Sequence, residues 1–291
     1  MTFLAARAPA ASSGPGPVIV GVGYDGTASF RKGSRWGPAA IRHASQSIET
    51  YSPVIDRDLE DVPFADAGDL DLEELEPPAM VGAIRRHLGP GLPVLLGGEH
   101  TITLGAVQAL AARHHDLAVI QWDAHTDLRA TYEGREICHA TVMRRILDGG
   151  VPLVQLGIRA GTREEFALAR GRSLHLSRGA SLPPPLLEAL RPRPLYLTVD
   201  IDVLDPSLAP GTGNPEPDGV AYAELLEGLR SLSGHRVVGM DLVEVAPPWD
   251  PSGRTAVIAA TLVREMLLLF APGPARTAAA QAPVTATRQS A

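Results

Sequence analysis

The chain holds one cysteine in 291 residues, Cys138. That excludes a framework of intrachain disulfides and fits a reducing compartment. A surplus of positive charge is also missing. The formal net charge of -7, from 26 Lys and Arg against 33 Asp and Glu, disfavours non-specific attachment to nucleic acid or to an anionic membrane. No apolar run is long enough to span a bilayer. Met1 to Pro17 carries Arg7 but no apolar core of a signal sequence. From these absences we expect a soluble, cytoplasmic protein with neither nucleic-acid nor membrane partners. What is abundant is apolar content, 45% of all residues, enough to bury a substantial core.

Residues 1–16 and 272–291 are rich in Ala, Pro, Ser, Thr and Gly without sustained periodicity, and read as disordered tails around one domain over 17–271. Truncation within the first tail is expected to leave activity intact. Between the tails, short apolar runs alternate with helix-like segments. The runs predict strands over Val18–Val22, Val94–Leu96, Leu117–Trp122, Leu153–Gly157, Leu195–Val199 and Val237–Leu242. Helices are expected over Pro38–Ser47, Pro78–Leu88, Thr103–Arg113, Ala140–Leu147, Pro184–Leu190, Tyr222–Leu232 and Arg254–Leu269. Continuous apolar strands alternating with helices indicate an α/β domain whose mostly parallel sheet is covered on both faces.

Costly anions cluster where those runs end. Trp122-Asp123-Ala124-His125-Thr126-Asp127 follows the third run, Asp200-Ile201-Asp202 closes the fifth, and Gly97-Gly98-Glu99-His100 follows the second. A buried carboxylate must be paired, protonated or bound to metal. Side chains two apart in an extended segment share a face, so Asp123, His125 and Asp127 can converge, as can Asp200 and Asp202. Taken alone, the first stretch could equally be a loop with helix-capping aspartates. Three such clusters at strand ends, on the edge where parallel sheets bind ligands, favour a binuclear cation site that activates a water. Four carboxylates with only two imidazoles suit Mn2+ better than a structural zinc site. Mg2+ usually keeps more water than so many protein ligands allow.

These motifs, with Asp200-Ile201-Asp202-Val203-Leu204-Asp205-Pro206, resemble the signatures of the ureohydrolases, the family of arginase and agmatinase, over roughly residues 18–270. The resemblance implies a three-layer α/β/α fold with two Mn2+ per chain. It places His100, Asp123, Asp127 and Asp200 on one ion, and Asp123, His125, Asp200 and Asp202 on the other, Asp123 and Asp200 bridging. Glu99 stands where many members have Asp, beside a ligand rather than as one. Glu244 matches the carboxylate that clamps the substrate guanidinium, and Asp127 is implied to pass a proton to the leaving amine. His139, in Cys138-His139-Ala140-Thr141, matches the histidine that shuttles protons at the cleft mouth, and Thr212 lies in a loop lining the pocket. A homotrimer or homohexamer is also implied.

The substrate is then expected to be a small guanidino compound. Leu128 to Ile137 has neither the Asn nor the Ser typical of the arginase loop. The stretches Ser47–Pro53, Tyr132-Glu133-Gly134 and Val243–Asp250 look like those of bacterial agmatinases, implying cleavage of agmatine to putrescine and urea. Glu133, Glu136 or Glu216 could face its ammonium. Altered residues at Asn214 and Asp218 keep open a guanidino acid or guanidine itself, with Arg129 or Arg135 available to an acid. Gly21-Val22-Gly23-Tyr24-Asp25-Gly26 matches a dinucleotide fingerprint, but the polar Thr27 to Gly33 that follows does not open a helix, so no nucleotide site is expected.

Overall fold

Parallel strands need both faces covered, and this chain's apolar runs supply residues for two cores at once. The computed structural model describes residues 1–7 and 16–271. The strands are β1 (Pro17–Val22), β2 (Tyr51–Ser52), β3 (Arg57–Asp58), β4 (Ala65–Asp69), β5 (Leu92–Gly97), β6 (Ala118–Trp122), β7 (Leu153–Leu156), β8 (His175–Leu176), β9 (Leu195–Asp200) and β10 (Val237–Val243). Eight of them form one sheet in the order β4-β1-β5-β10-β9-β6-β7-β8, every pairing parallel. The remaining two, β2 and β3, make a small antiparallel pair. Helices are α1 (Gly37–Ser45), α2 (Pro77–His87), α3 (Ile102–Ala111), α4 (Val142–Asp148), α5 (Arg163–Arg172), α6 (Pro184–Leu190), α7 (Tyr222–Arg230) and α8 (Arg254–Phe270).

Alternation along each strand sorts side chains between two cores. Ile19, Val94, Leu96, Ile120 and Leu197 face one with α1, α6, α7 and α8. Val20, Val22, Leu95, Val119 and Tyr196 face the other with α2, α3, α4 and α5. This is the three-layer α/β/α arrangement. Among the described residues no helix is long and apolar enough to cross a membrane.

Besides the two-residue strands β2, β3 and β8, two longer elements escaped the apolar pattern. Strand β4, Ala-Asp-Ala-Gly-Asp, carries almost no hydrophobic signal because it is an edge strand. Its Asp66 accepts from buried Arg42 at 2.7 Å and 2.9 Å, and also from the backbone N–H of Phe3 at 2.8 Å. Helix α5 is nearly all polar and buries only Glu165 and Ala169. It opens with a capping box, in which Thr162 accepts from the Glu165 N–H and Glu165 from the Thr162 N–H.

The expected N-terminal tail needs correction over its first seven residues. Phe3 is 1% exposed and meets Phe64 edge to face at 6.4 Å between ring centroids, while Arg7 bridges to Ala65. One large aromatic, with a backbone donor aimed at Asp66, is enough to dock a segment whose composition is otherwise tail-like. Residues 8–15 of that tail, and the whole of 272–291, lie outside the described residues. Phe3→Ala is expected to cost about 3 kcal/mol, near the lower end for a buried Phe. Urea unfolding checks this; an unchanged midpoint would mean the docked segment contributes nothing.

Candidate functional site

Strands β5, β10, β9 and β6 are neighbours, and their carboxyl ends deliver His100, Glu244, Asp200 and Asp123 to one rim. Adjacent strands lie about 4.8 Å apart, so side chains leaning in from just past their ends can meet above the sheet edge. Gly98 makes the approach of the His100 segment possible. A Cβ there would fall 1.9 Å from the Tyr24 carbonyl oxygen, whereas the glycine lets Glu99 N donate to that oxygen at 2.7 Å.

His100 is locked from behind. Its Nε2 lies 2.8 Å from Thr198 Oγ1, beside Asp241, which accepts from Thr103 and Tyr196. Its Nδ1 therefore faces Asp123 at 3.0 Å, Asp127 at 3.1 Å and Asp200 at 3.5 Å. Despite these distances Nδ1 has no hydrogen bond of acceptable geometry and is a buried orphan. On the far side of Asp123, His125 Nδ1 lies 2.9 Å from Asp202 and 3.5 Å from the other Asp123 oxygen. Two groups, His100–Asp123–Asp127 and Asp123–His125–Asp202, thus share Asp123, each with its ligand atoms within 4.8 Å of one another.

Backbone and side-chain donors hold the carboxylates in place. Asp123 accepts from Gln121 Nε2 at 2.7 Å and His125 N at 2.6 Å, Asp202 from Ala124 N at 3.0 Å, and Asp200 from Asp202 N at 2.9 Å. Burial pushes the Asp200 carboxyl well up, Asp202 adding repulsion, and burial with neighbouring Asp123 pushes Asp127 to about 7. Asp123 alone goes down, because His100 and His125 overcome its burial. Such a set is deficient in positive charge. An orphaned imidazole nitrogen inside a ring of oxygen donors fits a pair of divalent cations.

Glu244 and Asp127 both take left-handed backbone, φ 65° and 52°, which non-glycine residues rarely adopt. Glu244 is held there by its N–H on the Gly98 carbonyl at 2.8 Å, and its carboxylate accepts from His100 N at 2.9 Å. Burial, then Glu99, raises its carboxyl well above the ordinary range. Both residues open on a cavity of about 290 Å3 with His100, Asp200 and Asp202 on its floor. His139 lines its wall beside Ser29 and Tyr132, and burial, then His125 and His100, lowers its imidazole to about 4.

Thr212 departs from expectation. Its backbone pairs with Val245 and its hydroxyl is buried without a partner, while the same loop sends Asn214 and Glu216 into the cavity instead. Of the three candidate carboxylates for a distant ammonium, only Glu216 lines the cavity. Glu133 sits at φ 49° in the tight turn Tyr132–Arg135, which carries it away, and Glu136 also lies outside the lining. Arg129 lines the cavity, 3.5 Å from Glu165, whereas Arg135 reaches the Gly26 carbonyl. After Gly26 no helix opens until a single 3-10 turn at Ser34–Trp36 leads into α1, so the glycine fingerprint lacks the adjoining helix N-terminus that a pyrophosphate needs.

Residues missed by the motif reading support the site from outside. Gln121 is a polar residue inside an apolar strand, and that incongruity was its signal. Arg159 donates to the carbonyls of Asp202 at 2.7 Å, Val203 at 3.1 Å, Glu216 at 3.0 Å and Pro217 at 3.0 Å. It ties the Glu216 loop to the segment that carries Asp202. No sequence signal marks it, because its partners are backbone carbonyls.

The Arginase family model matches residues 16–269. An agmatinase of Bacillus anthracis is 44% identical over 262 residues, covering 86% of this chain and 90% of the relative. The structure of agmatine ureohydrolase of Thermoplasma volcanium superposes with a TM-score of 0.81 at 32% identity, covering 92% of this chain and 93% of that one. Proclavaminate amidinohydrolase from Streptomyces clavuligerus superposes with a TM-score of 0.82 at 31% identity, covering 92% and 96%. With that family match over nearly the whole described domain, and with an acidic cluster at the strand ends where the motifs fall, the chain belongs to the arginase family.

Proposed function

We propose that this protein is a binuclear manganese ureohydrolase that cleaves agmatine to putrescine and urea. One observation carries the reading: two acidic groups share Asp123 beneath a cavity whose other polar wall is Glu244. His100, Asp123, Asp127 and Asp200 would hold one Mn2+, and Asp123, His125, Asp200 and Asp202 the other. Bound there, two divalent cations lower the pKa of a water and so supply a nucleophile at neutral pH. Glu244 holds the guanidinium by charge-assisted hydrogen bonds, one of its oxygens fixed by His100 N. Asp127 carries a proton toward the leaving amine, and His139 exchanges protons at the mouth. The family resemblance further implies a homotrimer or homohexamer.

Glu216 is the side chain we assign to the far end of the substrate. Its carboxylate lies 3.7 Å from His125 Nε2, is about two-fifths exposed and is anchored through Arg159. An ammonium at the end of a four-carbon chain would meet it at the rim. Similarity to the agmatinase of Bacillus anthracis supports the same substrate. A guanidino acid is the second reading, favoured by Arg129 on the cavity wall and by the likeness to proclavaminate amidinohydrolase. In that case Arg129 would exchange Glu165 for the substrate carboxylate.

Urea release by the Mn2+-loaded protein across agmatine, arginine, 4-guanidinobutyrate, 3-guanidinopropionate and guanidine separates these readings. Agmatine is expected to give the highest kcat/KM; preference for a guanidino acid would move the assignment to Arg129. Glu216→Gln is expected to raise KM for agmatine about fivefold with little change in kcat, the scale of a half-exposed ion pair. An unchanged KM would remove Glu216 from the substrate site.

A further inference from the structure

His139 is a proton carrier only if the correct ring nitrogen faces the cavity, and its surroundings decide which one does. Thr27, on the loop after β1, is 3% exposed, and its hydroxyl meets three other polar residues. Thr27 Oγ1 lies 2.5 Å from Glu99 Oε1, 3.5 Å from Thr101 Oγ1, 3.3 Å from His139 N and 3.3 Å from His139 Nδ1. Glu99 is wholly buried and receives donors on both oxygens: Thr27 N at 3.0 Å on one, and Thr101 Oγ1 at 2.8 Å on the other, beside Thr27 Oγ1. It is therefore the acceptor at the end of a chain of hydrogen bonds.

A hydroxyl has one proton and two lone pairs. The shortest contact of Thr27 Oγ1 is to a carboxylate oxygen, so its proton points there. Both lone pairs are then left to accept. The backbone N–H of His139 can only donate, and fills one of them. The other can accept only if His139 Nδ1 carries hydrogen. That leaves Nε2 as the bare nitrogen, 3.4 Å from Ser29 Oγ, where both groups line the cavity. Tyr132 closes the remaining side, its ring 5.7 Å from the imidazole at 84°.

We propose that Glu99 and Thr27 are positioning residues that fix the tautomer of His139, so that its Nε2 lone pair is presented to the substrate cavity. The arrangement rests on the reading of His139 as a proton carrier. It parallels the way a carboxylate orients a histidine elsewhere, with a threonine hydroxyl inserted between the two. Neither residue touches substrate. Each acts through the ring it holds, and this gives the loop carrying Thr27 a role in the reaction that its turn-like sequence does not reveal.

A double-mutant cycle on the Mn2+-loaded enzyme tests this, with urea release as the readout. Thr27→Val is expected to lower kcat about tenfold with KM within about twofold, the scale of losing a partner that orients a histidine. Thr27→Ser, which keeps the hydroxyl, should restore most of it. His139→Asn should lower kcat about 100-fold, and adding Thr27→Val to it should cost nothing more. Additive losses would overturn the proposal, because Thr27 would then act on something other than the ring. A His139→Asn enzyme with unchanged kcat would instead overturn the reading of His139, and the proposal with it. Should Thr27→Val fail to fold, neutron diffraction from the unmutated Mn2+-loaded protein gives the answer directly: a deuteron on His139 Nδ1 is expected, and one on Nε2 alone contradicts it.

Discussion

Asp123 is wholly buried and turns one oxygen toward His100 and the other toward His125. Taking an ion out of water is expensive, and the cost is recovered only when every lone pair is met. Here Gln121 and the His125 N–H donate to it and two imidazoles lie alongside, which lowers this carboxyl while burial drives Asp127 and Asp200 the other way. The sheet order, the glycine at 98 and the left-handed backbone at Asp127 and Glu244 are all arranged about that shared group. A pair of divalent cations is the counter-charge this geometry accommodates.

The fold divides the labour between rigid strand ends and adjustable loops. Strands β5, β10, β9 and β6 carry the groups for the chemistry, which requires placement within fractions of an ångström. The loops after them bring Asn214, Glu216, Arg129 and Tyr132 to the rim. Arg159 joins the two regions by donating to carbonyls on both sides, tying the Glu216 loop to the Asp202 segment. Relatives named for different guanidino substrates share this framework, as the likeness to both agmatine ureohydrolase and proclavaminate amidinohydrolase illustrates.

What could be read from the sequence was whatever stood out against its surroundings. Apolar runs alternating with helix-like segments showed the strands and the α/β class, and carboxylates at the ends of those runs are conspicuous because they cost free energy unless something binds them; the family followed from those motifs. Strand β4 and helix α5 were invisible because one is an edge and the other floats on the surface with two buried residues. Phe3 was hidden in a stretch of small residues, since one anchoring side chain leaves no periodicity. Choosing Glu216 over Glu133 and Glu136, or Asn214 over Thr212, depends on which way each loop turns. Local composition does not encode that. The Glu99–Thr27–His139 chain joins residues 112 positions apart, and only the folded chain assembles it.

The claim on which the rest stands is that the shared acidic cluster holds two divalent cations. Calorimetric titration of metal-stripped protein with Mn2+ addresses it directly, with Asp123→Asn as the paired variant. Two ions per chain are predicted for the unmutated protein, with loss of both when Asp123 is changed. A stoichiometry of one, or a pair that survives the substitution, would contradict the account.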